Sequence, residues 1–130
     1  MSATASPSTT LRDPGNSLNT ALDIGILRGV SNYKDFVGST DRDDYYRFTL
    51  TQTSNFKLSL TGLTDYADAD LIYDNNGNGQ IDYGETLGRT DGSQYSDGSI
   101  NQTLGAGTYF IHVYTDYSSQ NTNYTLSLSA

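Results

Sequence analysis

Residues 45–50 (YYRFTL) and 56–63 (FKLSLTGL) alternate large apolar and polar side chains position by position. In the first run Tyr46, Phe48 and Leu50 share one face, and Tyr45, Arg47 and Thr49 share the other. In the second, Phe56, Leu58 and Leu60 oppose Lys57, Ser59 and Thr61. A period of two is the mark of a strand with one buried face; apolar residues of a helix recur every three or four positions. Further short runs lie at residues 21–27, 29–37, 70–74, 86–90, 99–104, 108–115 (TYFIHVYT) and 124–128 (YTLSL), separated by Gly, Asn, Asp and Ser. In the last of them Tyr124, Leu126 and Leu128 face inward by the same alternation. Eight or nine short strands with turn residues between them predict an all-β, antiparallel sandwich and not parallel βαβ units. A helical turn fits only residues 16–22, capped by Asn16 or Ser17.

The acidic residues agree with this. Fourteen of the 15 carboxylates are Asp and one, Glu85, is Glu. Glu suits helix interiors, whereas Asp suits caps, turns and metal loops. Leu, Ile, Val and Phe make up 26 of 130 residues, a share at the border of disordered composition. The 11 Tyr supply the missing apolar surface, being large, amphipathic and at home in strands.

A net charge of −8 with 7 basic residues excludes nucleic acid and anionic membrane surfaces as default partners. There is no Cys, hence no disulfide framework and no zinc–thiolate site. No apolar run approaches the roughly 18 residues of a membrane span. Residues 1–10 are small, polar and aperiodic, without the basic start and apolar stretch of a signal peptide, and a disordered leader or linker is expected over residues 1–12. The folded domain is expected over residues 13–130.

Residues 74–85 read DNNGNGQIDYGE and match the twelve-residue calcium loop of EF-hands at each informative position. Asp74, Asn76 and Asn78 stand at positions 1, 3 and 5, where short side-chain oxygens converge on one ion. Gly79 stands at position 6, where the chain turns sharply with positive φ. Gln80 offers its backbone carbonyl and Ile81 is expected to pin the loop to the domain. Asp82 binds directly or through water at position 9, and Glu85 at position 12 reaches in with both oxygens. A hairpin turn alone would explain the glycines. It would not explain why the single Glu of the chain falls at position 12. The flanks, residues 67–73 and 86–90, are short and extended, so this is an EF-hand-type loop set between strands, without helices to open. Three charged ligands suggest an affinity of about 10⁻⁴ to 10⁻³ M, as in extracellular modules. Two more acidic groups, Asp65/Asp68/Asp70 and Asp41/Asp43/Asp44, are either a second ion site or solvated turn charges.

Catalysis finds little support. The single His, His112, lies in an alternating strand, and no nucleophile-elbow sequence accompanies it. If Ile111 and Val113 face the core, Phe110, His112 and Tyr114 form an outward row, which Tyr45 and Arg47 extend if the strands are neighbours. Such a row could stack sugars or grip an extended peptide, unless a second layer covers it.

From about Asp13 onward the chain resembles the bacterial pre-peptidase C-terminal domain family. The resemblance is carried, in order, by DPGNSLNTALDIGIL, DDYYRFTLTQTSNFKLSLTGL, ADADLIYDNNGNG and INQTLGAGTYFIHVYTDYSSQNTNYTLSLSA. It implies a jelly-roll-like β-sandwich, an accessory module of secreted bacterial proteins that often follows a peptidase domain. The chain is also similar to the collagen-binding domain of clostridial collagenases, which binds calcium. The loop at residues 74–85 is longer than the family's common turn at this place, so the calcium reading rests on the loop itself. The resulting expectation is a non-catalytic, calcium-binding module, monomeric as an isolated domain and covalently part of a larger secreted or cell-surface protein. Its role would be targeting, secretion or attachment to an extracellular protein or polysaccharide; a carbohydrate-binding module using exposed tyrosines and a purely structural or processing domain are the alternatives.

Overall fold

Nine strands form where the alternating runs lie, in a computed structural model that describes residues 15, 17–38, 41–74, 77, 79–82, 84–90, 97–115 and 120–130. The strands are β1 (Leu22–Ile26), β2 (Val30–Val37), β3 (Asp43–Leu50), β4 (Ser54–Thr61) and β5 (Asp68–Ile72), then β6 (Thr86–Arg89), β7 (Gly98–Leu104), β8 (Gly107–Tyr114) and β9 (Thr122–Ser129). A five-stranded sheet has the order β1-β3-β8-β5-β6 and a four-stranded sheet the order β2-β9-β4-β7. The leader expected over residues 1–12 lies outside the described residues.

The two sheets close on the faces that alternation marked as apolar. Tyr46, Phe48, Leu50, Ile111 and Val113 from the larger sheet meet Phe56, Leu58, Leu60, Leu126 and Leu128 from the smaller, all 2 % exposed or less. The Phe48 and Phe56 rings stack across the gap, 5.1 Å apart and 7° from parallel. Each such side chain contributes about 1.5–3 kcal/mol of burial.

One pairing departs from the antiparallel expectation. β1 runs parallel to β3. The reason is topological: β2 belongs to the other sheet, so the chain leaves the larger sheet after β1 and re-enters it in the same direction. β1 also carries a register shift between Asp23 and Gly25. There Gly25 has φ 80° and donates its N–H to Asp23 Oδ1 at 2.9 Å.

The helical turn is a 3₁₀ segment, Leu18–Thr20. Ser17 precedes it and caps it reciprocally: its N–H donates to Thr20 Oγ1 at 3.1 Å, and the two hydroxyls lie 3.0 Å apart. Leu18 packs with Tyr45 and Ile72, against Ala21 and Phe110, on the outer side of the larger sheet. The turn therefore covers part of the face that carries the aromatic row, whose exposure the alternation leaves undecided.

Candidate functional site

The loop at residues 74–85 joins β5 to β6, and its base is closed by Tyr73 N–H donating to the Glu85 carbonyl at 3.0 Å. Asp74 Oδ2 accepts the N–H of Gly79 at 2.8 Å, linking positions 1 and 6 of the expected calcium loop. Gly79 has φ 75°, as position 6 requires. Glu85 is 4 % exposed. Its Oε1 accepts the N–H of Asp82 at 2.9 Å while its own N–H donates to the Asp82 carbonyl at 3.1 Å. Asp74 Oδ1 is shut off from solvent and, among the described residues, accepts no hydrogen bond. Asn76 and Asn78 lie outside the described residues. Gln80 and Asp82 are exposed.

Ile81 does not pin the loop; it is 41 % exposed. The contact runs through Asn19 instead. A Cβ built on Gly79 would lie 2.6 Å from Asn19 Oδ1, so the 3₁₀ turn sits directly over the loop. The carboxylates of Asp74, Asp82 and Glu85 do not all approach one another within 4.8 Å.

A different trio does. Asp35, Asp41 and Asp44 each place a carboxylate oxygen within 4.8 Å of the other two. The strands explain the membership. Asp35 sits on β2 between inward Tyr33 and Val37, and Asp44 sits on β3 beside inward Tyr46. Paired backbone hydrogen bonds between Gly38 and Asp41, 2.9 and 3.1 Å, bring Asp41 back to them. Asp43 cannot join, because adjacent strand residues point to opposite faces. Asp44 is fully buried, and its Oδ2 accepts the hydroxyl of Tyr124 at 2.5 Å. The Tyr124 hydroxyl lies 2.6 Å from that of Tyr46, and burial among these groups pushes the Tyr124 phenol far above its usual range. Three carboxylates this close, one in a low-dielectric interior, favour a bound cation or retained protons. Asp35 carried a sequence signal that the reading missed: an Asp at an inward position of an alternating strand.

The second proposed acidic group is dispersed. Asp65 accepts the N–H groups of Tyr66 and Asn121, at 2.8 and 3.3 Å. Asp68 faces Tyr114 across the β5–β8 ladder. Asp70 takes the Arg89 guanidinium at 2.8 and 3.1 Å and the Tyr114 hydroxyl at 3.1 Å.

The aromatic row exists, but as a stack turned on itself. Tyr45 pairs with His112, and Arg47 with Phe110, across the β3–β8 ladder. The His112 ring is sandwiched between Tyr45 at 4.2 Å and Tyr114 at 4.5 Å. Tyr45 is buried, contrary to an open binding face, while Arg47 binds Asp23 at 2.8 Å on the surface. The ring faces touch each other. Burial lowers the His112 pKa more than the Asp43 carboxylate, 2.7 Å from Nε2, raises it, so the neutral ring donates Nε2–H to Asp43. Burial, with the charges of Asp43 and Asp70, pushes Tyr45 up to about 12. Among the described residues His112 hydrogen-bonds Asp43 and no serine.

The family model of the bacterial pre-peptidase C-terminal domain matches residues 42–115. Among solved structures, the pre-peptidase C-terminal domain of collagenase from Bacillus anthracis is 19% identical, with a TM-score of 0.65 over 83% of this chain and 93% of that one. PliG of Aeromonas hydrophila, a periplasmic inhibitor of g-type lysozyme, is 19% identical, with a TM-score of 0.55 over 83% of this chain and 95% of that one. Both likenesses are of fold. A comparison with curated protein sequences finds no match.

Proposed function

The chain belongs to the bacterial pre-peptidase C-terminal domain family, and we propose that it is a non-catalytic, calcium-binding accessory module that attaches a larger secreted protein to its target. The observation that carries the reading is the convergence of Asp35, Asp41 and Asp44 around a fully buried carboxylate. Hard oxygen ligands of this kind suit calcium, which accepts six to eight of them in flexible geometry. The loop at residues 74–85 offers a second position through Asp74, Asn76, Asn78, Gln80, Asp82 and Glu85. The Asp74–Gly79 hydrogen bond and the buried Glu85 support it, and closing of Asp82 and Glu85 onto Asp74 would complete it. Either ion would staple a loop between strands, and among the described residues there is no helix pair to open.

The collagenase domain with this fold supports a parent that acts on extracellular protein. The periplasmic inhibitor supports a location outside the cytoplasm. No described helix is long and apolar enough to cross a membrane.

Calorimetric titration of the metal-free domain with calcium tests the reading. Two binding events of about 10⁻⁴ to 10⁻³ M are expected, one lost in Asp41→Asn and the other in Glu85→Gln. Absence of heat and of any rise in melting temperature in the wild-type protein would overturn the calcium reading. Equal responses of the wild type and Glu85→Gln would remove the loop site alone.

A further inference from the structure

The outer face of the four-stranded sheet is chemically unlike the rest of the chain. Both lysines of the sequence, Lys34 and Lys57, point out of it, and none of the outward residues of β2, β9, β4 and β7 is Asp or Glu. Cross-strand register places Lys57 between Ser129 and Asn101, with Ser127, Ser59 and Ser99 in the next row. These side chains line a shallow groove of about 360 Å³. Among the described residues neither lysine forms an ion pair. An ammonium ringed by hydroxyls and an amide, with no carboxylate beside it, is an anion site set in a sugar-compatible surface.

We propose that this face docks a carboxylated polysaccharide, with Lys57 at the centre of the contact and Lys34 at its far end. The assignment deepens the attachment role proposed above and rests on it. Lys34 and Lys57 are separated by two strand spacings and four residues along the strand, about 17 Å. Two isolated cations so far apart fit a polymer of sparse charge, such as one uronate per disaccharide, better than a densely sulfated chain. The molecule's net charge does not forbid it. The one acidic residue on the strands of this sheet, Asp35, points to its inner face; the others lie on the other sheet and in the loops, and charges beyond about 8 Å are largely screened at physiological salt. Aromatic platforms are absent from the centre of this face, so binding rests on charge and hydrogen bonds and weakens as salt rises.

The test is an NMR titration of the domain with hyaluronate oligosaccharides in the presence of a chelator, with dextran and heparin as comparators. Shifts are expected at outward residues of β4, β7 and β9 around Lys57. Lys57→Gln should weaken hyaluronate binding about tenfold, the loss of one charge-assisted contact. Arg42→Gln, which removes the same charge from a different place, should leave it unchanged. Dextran binding as tight as hyaluronate, heparin binding tighter than hyaluronate, equal losses in the two variants, or shifts confined to other faces would each overturn the proposal. Because calcium is chelated, failure here leaves the calcium reading standing, and failure of the calcium titration leaves this one standing.

Discussion

Asp70 and Arg89 face each other across the β5–β6 ladder, and the guanidinium fork meets the carboxylate at 2.8 and 3.1 Å. These two strands carry the loop at residues 74–85, and the pair ties them together at the end of β6 away from it. Asp70 is nearly buried while the Arg89 side chain is 60% exposed. The clamp therefore draws its strength from satisfying the acid more than from Coulomb attraction through solvent.

Arg89→Ala should cost about 1–2 kcal/mol in chemical denaturation, because Asp70 keeps the Tyr114 hydroxyl but loses its fork. Arg89→Lys should recover only part of that, since an ammonium cannot make the paired contact. Full recovery by lysine would show that charge alone suffices.

Gly77 and Gly79 both hold positive φ, 68° and 75°. Space is open around Gly77, while Asn19 blocks a Cβ at Gly79. Gly77→Ala should cost about 1 kcal/mol from backbone strain. Gly79→Ala should cost more, and Asn19→Ala should remove the excess. Equal losses in thermal melts would mean that the 3₁₀ turn does not hold the loop.

Tyr124→Phe deletes the donor to Asp44 Oδ2 and should destabilise the metal-free domain by about 1–3 kcal/mol. If calcium sits at Asp35, Asp41 and Asp44, saturating calcium should shrink that loss. Denaturation with and without calcium measures both.

His112 gives the domain a pH dependence of fixed sign. Burial holds its folded pKa below the usual 6.5, so the unfolded chain binds the proton more readily. Stability contributed by the neutral ring is present above that value and is lost as pH falls through the folded pKa. The groups acting on it are Asp43, Asp70 and Arg89. Urea midpoints of the wild type should fall below pH 6.5 more steeply than those of His112→Gln; parallel profiles would refute the assignment.

Strand positions were legible because alternation is local. Tyr46, Phe48 and Leu50 declare their face within six residues, and each expected run overlaps a strand. The direction of β1 was not legible, because it depends on which sheet receives β2. The acidic residues show the same division. The positive φ of Gly79 was readable from the glycine pattern of its loop, whereas Asp35 joins Asp41 and Asp44 only through a bridge at Gly38 and two strands of different sheets. The row at Tyr45, His112 and Tyr114 was placed on the correct face, but its openness was not decided by period. That depended on the rings stacking on one another and on Leu18, distant in sequence from both strands, folding over the neighbouring Tyr45.

Tyr46 and Asp44 belong to β3 in one sheet and Tyr124 to β9 in the other, so their hydroxyl chain crosses the apolar gap. In mechanical terms the domain is two plates with a bolt through one end, and the head of the bolt lies among the carboxylates of Asp35, Asp41 and Asp44. Pulling the plates apart must break that bolt, and with it the 2.8 Å hydrogen bond by which Gln102 Nε2–H on β7 donates to the Leu87 carbonyl on β6. A cation drawn to the carboxylates would act as a washer under the bolt head, setting how much force the sandwich bears before its halves part.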